Sequence, residues 1–172
     1  MAIEVKLEKY GHKKKGFLGF SWTAFFFNFF VPLFRGDFKW FLIFLFPFIF
    51  ASLGASLDLD FDNNFIAFIF IFPVFVSKFV FPFIYNKFYT KDLLKKGYLP
   101  PEDDDYSNAI LKGNRFLEYT KEDLLDKEKM ERYRLIIGEY EKERKKDIHT
   151  IIMVFVLIGV LIAMFAFMAS YS

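Results

Sequence analysis

The stretch Trp40-Phe41-Leu42-Ile43-Phe44-Leu45-Phe46-Pro47-Phe48-Ile49-Phe50-Ala51-Ser52-Leu53-Gly54-Ala55-Ser56-Leu57 contains no Asp, Glu, Lys or Arg. As an α-helix it reaches about 27 Å at ~1.5 Å per residue, most of the ~30 Å hydrocarbon core of a bilayer. Two more runs of this kind follow. Residues 65–85 carry one charge, Lys78, and from Thr150 onward there is none. Pro47, Pro73 and Pro82 predict kinks, which helices in lipid tolerate where neighbours re-satisfy the freed carbonyls. With 55% hydrophobic and 26% charged residues the chain would pass for globular, but 28 of its 172 residues are Phe and its charges lie outside the runs. That segregation sets the class.

Upstream, residues 1–16 read as a basic cytoplasmic tail whose Lys13, Lys14 and Lys15 meet the membrane surface. Residues 17–34 are uncharged but interrupted by Ser21, Thr23, Asn28 and Pro32, with Trp22 as an interfacial anchor. This chemistry predicts an interfacial or re-entrant helix, with a polar spanning helix as the alternative. A cleaved signal peptide is disfavoured, because Val31-Pro32-Leu33-Phe34-Arg35 offers no small-residue cleavage site. Transmembrane helices are expected over 38–57, 65–85 and 149–169, with an acidic loop at Asp58, Asp60 and Asp62 and a cytoplasmic helical region over 86–148. Orientation follows from Lys and Arg, which stay on the cytoplasmic side. If residues 17–34 dip in and return, every extramembrane Lys and Arg faces the cytoplasm; if they cross, the basic tail and the rest of the basic residues fall on opposite sides. The expected fold is therefore an all-α membrane protein: three transmembrane helices, an N-terminal interfacial or re-entrant helix and a cytoplasmic charged helical region. Its N-terminus is inside and its C-terminus outside.

Within the cytoplasmic region, Glu102-Asp103-Asp104-Asp105 follows two prolines and reads as the acidic first turn of a helix, favourable to its dipole, in preference to a divalent-ion site. Thr120-Lys121-Glu122-Asp123 has the capping-box layout and starts a second, charged helix over about 121–147. Met130, Tyr133, Ile137 and Tyr140 form a narrow apolar stripe on it, either docking a protein partner or folding back on the preceding short helix. Glu128/Arg132 and Glu141/Lys145 are i,i+4 pairs on the wet side. With no proline after Thr120, the helix is expected to run into the last span, and Arg144, Lys145 and Lys146 then mark the surface where anionic headgroups are attracted.

The blocks Gly19-Phe20-Ser21-Trp22-Thr23-Ala24-Phe25-Phe26-Phe27, Pro32-Leu33-Phe34-Arg35-Gly36-Asp37-Phe38-Lys39-Trp40 and Asn86-Lys87-Phe88-Tyr89 resemble those of a family of small bacterial inner-membrane proteins known only as a domain of unknown function. The resemblance covers roughly residues 16–100 and departs at Asn28, where a glycine is expected. It implies a membrane location and a compact N-terminal unit, and supplies no activity. Arg35-Gly36-Asp37 also matches an adhesion tripeptide, but in an expected cytoplasmic turn coincidence is the better account.

The chain has no cysteine, so disulfides, thiolate metal sites and thiol nucleophiles are excluded. Its formal net charge of +2 gives no reason to expect a nucleic-acid partner. No H-E-x-x-H, G-x-S-x-G or G-x-x-x-x-G-K-[ST] pattern occurs. No catalytic residue, metal or cofactor is expected. Lys78 is the intramembrane ionisable candidate, since an ammonium there is costly; snorkelling or packing on Phe rings competes with a ligand contact. The expected function is a non-catalytic bacterial inner-membrane anchoring, accessory or assembly subunit with a cytoplasmic docking helix. Its partners would be anionic lipid headgroups, a protein at the cytoplasmic face and further copies of itself. The alternative is a small oligomeric channel or transporter component with Lys78 near the pathway.

Overall fold

The computed structural model describes residues 2–56 and 64–169, so the acidic loop at Asp58, Asp60 and Asp62 lies outside the described residues. The chain divides into two units, Met1–Asn108 and Ala109–Ser172. It is mostly helical but not all-α, because residues expected as a basic tail form a β-hairpin. Strand β1 (Ile3–Lys9) pairs antiparallel with β2 (His12–Leu18), in register from Ile3↔Leu18 to Lys9↔His12. Alternation explains it: Val5 and Leu7 point inward and are buried, while Glu4 and Lys6 face water. The two-residue turn needs positive φ at both positions, which Tyr10 (51°) and Gly11 (79°) supply.

Residues 17–34 do not form one helix either. Phe17 and Leu18 belong to β2, and the remainder is split into α1 (Trp22–Phe27) and α2 (Phe30–Phe34). The break is Asn28, with φ 47° and ψ −122°, a conformation that favours glycine. Neither piece is long enough to cross a bilayer.

Helix α3 (Phe38–Ser56) has a mean hydropathy of 1.8 and, among the described residues, is the one helix long and apolar enough to cross a membrane. Residues 65–85 are not a single straight span. Helix α4 (Asn64–Phe79) stops before Val80, and α5 (Phe81–Lys95) leaves at 60° and runs past the expected boundary at residue 85. Pro82, in the first turn of α5, has no N–H for the Lys78 carbonyl, and its ring would crowd that carbonyl. Taken together, α4 and α5 would make a second, broken span. Three transmembrane helices are thus more than the fold displays.

Close approach of α3 to α4 occurs at Gly54, where an added Cβ would come within 2.5 Å of the Phe70 ring. The small residues Ser52 and Ser56 instead turn their hydroxyls back onto carbonyls of their own helix. Within the same unit, α5 packs against β2.

The acidic run caps α6 (Asp105–Gly113), the helix in which the first unit ends and the second begins: Asp104 accepts the Ser107 N–H at 3.2 Å and its hydroxyl at 3.0 Å. The capping box forms as the spacing predicts, Thr120 and Asp123 each satisfying the other's backbone N–H and opening α7 (Lys121–Leu125). The charged helix does not run unbroken from residue 121, since Asp126 ends α7 and its carboxylate accepts the Lys129 N–H at 3.0 Å, capping α8 (Lys127–Ala169). From there α8 continues for 43 residues, so the charged stretch and the terminal apolar run are one element.

Candidate functional site

Three segments far apart in sequence meet at the base of the hairpin. The turn between α2 and α3 presents Arg35, whose guanidinium donates to Asn86 Oδ1 on α5 at 3.0 Å. Its central carbon lies 4.1 Å from the Phe17 ring centroid and 5.2 and 5.3 Å from those of Tyr85 and Tyr89. This packing suits a planar cation better than a compact ammonium. Asn86, fully buried, donates onward to the Gly19 carbonyl at 3.1 Å. Thr90, one turn along α5, takes the Phe17 N–H and returns its hydroxyl proton to the Phe17 carbonyl, both at 2.7 Å. The side of β2 that β1 leaves open is thereby sealed at Phe17.

Next to Arg35, Asp37 caps α3 by accepting the Trp40 N–H at 3.3 Å. Burial pushes its carboxyl up from the ordinary value, with the Trp40 N–H pulling the other way. Trp40 packs edge-on to Phe44, Phe81 and Tyr85. Its indole N–H and Asp37 Oδ2 are buried and make no hydrogen bond among the described residues.

A second polar cluster lies inside the aromatic core. The buried Ser77 hydroxyl on α4 is 3.2 Å from the Phe44 carbonyl and 3.3 Å from Asn28 Oδ1, and Asn28 Nδ2 donates back to the Ser77 carbonyl at 3.4 Å. The carbonyl that Pro47 leaves without its helix donor is that of Ile43, one residue earlier, so the Ser77 hydroxyl gives Phe44 a donor beyond its own helix ladder and ties α4 to α3. Lys78, half-buried, places its ammonium 3.5 Å from the Phe26 carbonyl at the end of α1 and 5.3 Å from the Phe25 ring centroid. A cation at a helix C-terminus is electrostatically favourable.

The residues singled out from sequence are scattered. Lys13, Lys14 and Lys15 lie on β2 and line a groove of about 890 Å³ whose other walls include Glu4, Glu8 and Asp104. Lys15 pairs with Glu4 at 3.0 Å, and Lys14 sits over the Tyr98 ring. Positive and negative charge are therefore mixed there. On α8 the stripe is not an open surface: Tyr133 and Tyr140 are buried, Ile137 packs against Gly113, and Met130 is half-exposed. Arg144, Lys145 and Lys146 are exposed on the same helix. Among the described residues no group of three or more His, Asp or Glu side chains is placed to hold a metal ion.

Sequence reading did not select Arg35, Asn86, Thr90 or Ser77 as site residues. Arg35 and Asn86 do stand in two of the three blocks that carry the family resemblance, and the structure bonds those two to each other. A second ion cluster was also missed: Asp123 accepts the Lys112 ammonium and, at 2.9 Å, that of Lys129, all within the second unit. No family model matches the chain, and neither does any curated protein or solved structure.

Proposed function

We propose that the chain is a non-catalytic integral protein of the bacterial inner membrane that anchors or assembles a partner at the cytoplasmic face. The observation that carries this reading is α8, a single helix joining a densely charged stretch to a terminal run without charge. At ~1.5 Å per residue it is about 65 Å long, roughly twice the hydrocarbon core, which leaves half of it for water. Support comes also from α3, and from polar groups of the first unit that are spent on one another: Arg35 on Asn86, Ser77 on Asn28 and Phe44.

In the proposed arrangement the hairpin lies inside, α1 and α2 rest in the interface, α3 crosses outward and the broken pair α4 and α5 returns. The second unit then starts in the cytoplasm and α8 crosses out again. Every Lys and Arg except Lys78 falls inside. The channel alternative has less behind it, because the Lys78 ammonium is already held by Phe26 and Phe25.

The test uses single cysteines, since the chain has none of its own. Labelling from outside intact membranes is expected at Asn63→Cys and Ser172→Cys and not at Lys14→Cys, Gly36→Cys or Gly113→Cys. Labelling at Lys14→Cys would overturn the arrangement. Photo-cross-linkers at Leu125 and Leu135, apolar positions that stay 82% and 68% exposed, test the anchoring role. No adduct at either position, at native expression, would count against it.

A further inference from the structure

We propose that the first unit holds an anionic phospholipid, with one acyl chain in the groove between α3 and α4 and the phosphate at Lys39. The proposal rests on the membrane reading above. A cavity of about 550 Å³ opens between these helices, walled by Ile43, Phe46 and Pro47 on one side and Phe72, Pro73 and Val76 on the other. That volume lies within the range of ordinary ligand pockets. Each wall carries a proline inside its helix. Prolines bend helices away from ideal packing, which accounts for a gap at this level. No polar side chain lines the gap, so its occupant is hydrocarbon.

What singles out an anionic lipid is the charge above the groove. Lys39, Ile43 and Phe46 follow 4-3 spacing and share a face of α3, with Lys39 one turn nearer the turn that starts the helix. Its side chain is 69% exposed, with Nζ 3.6 Å from Asp92. An exposed pair of this kind is worth about 0–1 kcal/mol and occupies one of three ammonium donors, leaving the others for phosphate oxygens. Lys87, Lys91 and Lys95, all exposed and four residues apart on α5, add positive charge around Asp92. A lysine at the headgroup level favours anionic over zwitterionic lipid by a factor of about five.

The chain carries two tryptophans, so Trp22→Phe leaves Trp40 as the single reporter. Trp40 packs 6.1 Å from Phe81, which also lines the groove, so a brominated acyl chain there quenches its fluorescence. In vesicles made wholly of chain-brominated phosphatidylcholine, quenching checks the membrane reading by itself; its absence means that reading has failed before the lipid site is tested. Given that quenching, a minor fraction of brominated phosphatidylglycerol is compared with the same fraction of brominated phosphatidylcholine. The anionic lipid should quench as though enriched about fivefold over bulk. Lys39→Gln and the groove-filling Val76→Phe should each abolish the excess. Equal quenching by the two lipids overturns the proposal, whether a neutral chain or a second copy fills the groove. So does an excess that survives Val76→Phe, which would mean attraction to the surface alone. Should Val76→Phe not fold, Lys39→Gln at its exposed position decides: an excess that survives it refutes the headgroup assignment.

Discussion

Replacing the buried Asp123 by alanine should loosen the second unit more than the removal of any of its exposed charges. The Asp123 side chain is 2% exposed, and its partner Lys112 is 8% exposed. Oδ2 accepts the Lys112 ammonium and the Thr120 N–H, while Oδ1 accepts Lys129 at 2.9 Å. Burial alone would push this carboxyl up. The hydrogen bonds from Lys112, Lys129 and Thr120 outweigh that and hold it well below the ordinary carboxylate range. Since the unfolded chain then binds the proton more readily, the stabilisation is complete above the unfolded Asp value of about 3.9. It is lost as pH falls through the lower folded value. At neutral pH Asp123→Ala strands a buried ammonium, a loss of about 3–5 kcal/mol, with about 1 kcal/mol more from the broken capping box. Even the lower figure raises the opening equilibrium roughly a hundredfold. Hydrogen exchange of the full chain in detergent, read on peptides over residues 109–125, measures it directly. The double variant Lys112→Met with Asp123→Leu should recover most of the protection, because no charge remains buried. Exchange in Asp123→Ala within about threefold of the parent, under 1 kcal/mol, would refute the reasoning: Lys112 would then be reaching water.

Three further outcomes are expected in the first unit. Gly54→Ala places a Cβ about where the Phe70 ring stands and should cost about 1–3 kcal/mol by overpacking, read as a lower thermal midpoint in detergent; an unchanged midpoint would mean that α3 and α4 separate easily. Ser77→Ala removes the donor shared by Phe44 and Asn28 and should cost about 1–3 kcal/mol in the same assay, with no loss if water takes its place. Arg35→Lys keeps the charge but not the planar fork between Asn86 and three rings; a loss of about 1–2 kcal/mol and an altered near-ultraviolet tyrosine signal are expected, and a silent substitution would show that charge alone matters there.

Uncharged length made α3 readable, and the lack of proline after Thr120 made the continuity of α8 readable. The hairpin was hidden by its second strand. Ile3, Val5 and Leu7 alternate with charged residues, but His12-Lys13-Lys14-Lys15 has no such alternation, and Tyr10-Gly11 is not one of the strong hairpin-turn pairs. Pro82 announced a disturbance near residue 80. That it becomes a 60° break, with the Pro82 carbonyl taking the Ser21 N–H at 2.9 Å, depends on a segment sixty residues earlier. The Arg35–Asn86 bond lies beyond any periodicity for the same reason, since local patterns carry no information about which distant segments pair. Asp123 was recognised as a capping residue, whereas its burial against Lys112 follows from how α6 and α7 fold together.

The placement of polar residues in the uncharged segments has a single physical rationale. Wherever the apolar chain departs from regular helix, a backbone group is left without its partner, and inside an apolar core an unsatisfied group of this kind is costly. Ser21 caps the start of α1 by accepting the Ala24 N–H at 3.2 Å. Asn28 occupies the break after α1, and Ser77 ties that break to the turn before Pro47. Lys78 closes the end of α1 from across the unit, and Asn86 holds the Gly19 carbonyl where β2 gives way to helix. Ser21 and Asn28 were the very residues that suggested an interfacial helix over 17–34, yet their hydrogen bonds show them fastening broken backbone. The polarity of this run therefore follows from its irregularity, and an interfacial position is not needed to account for it.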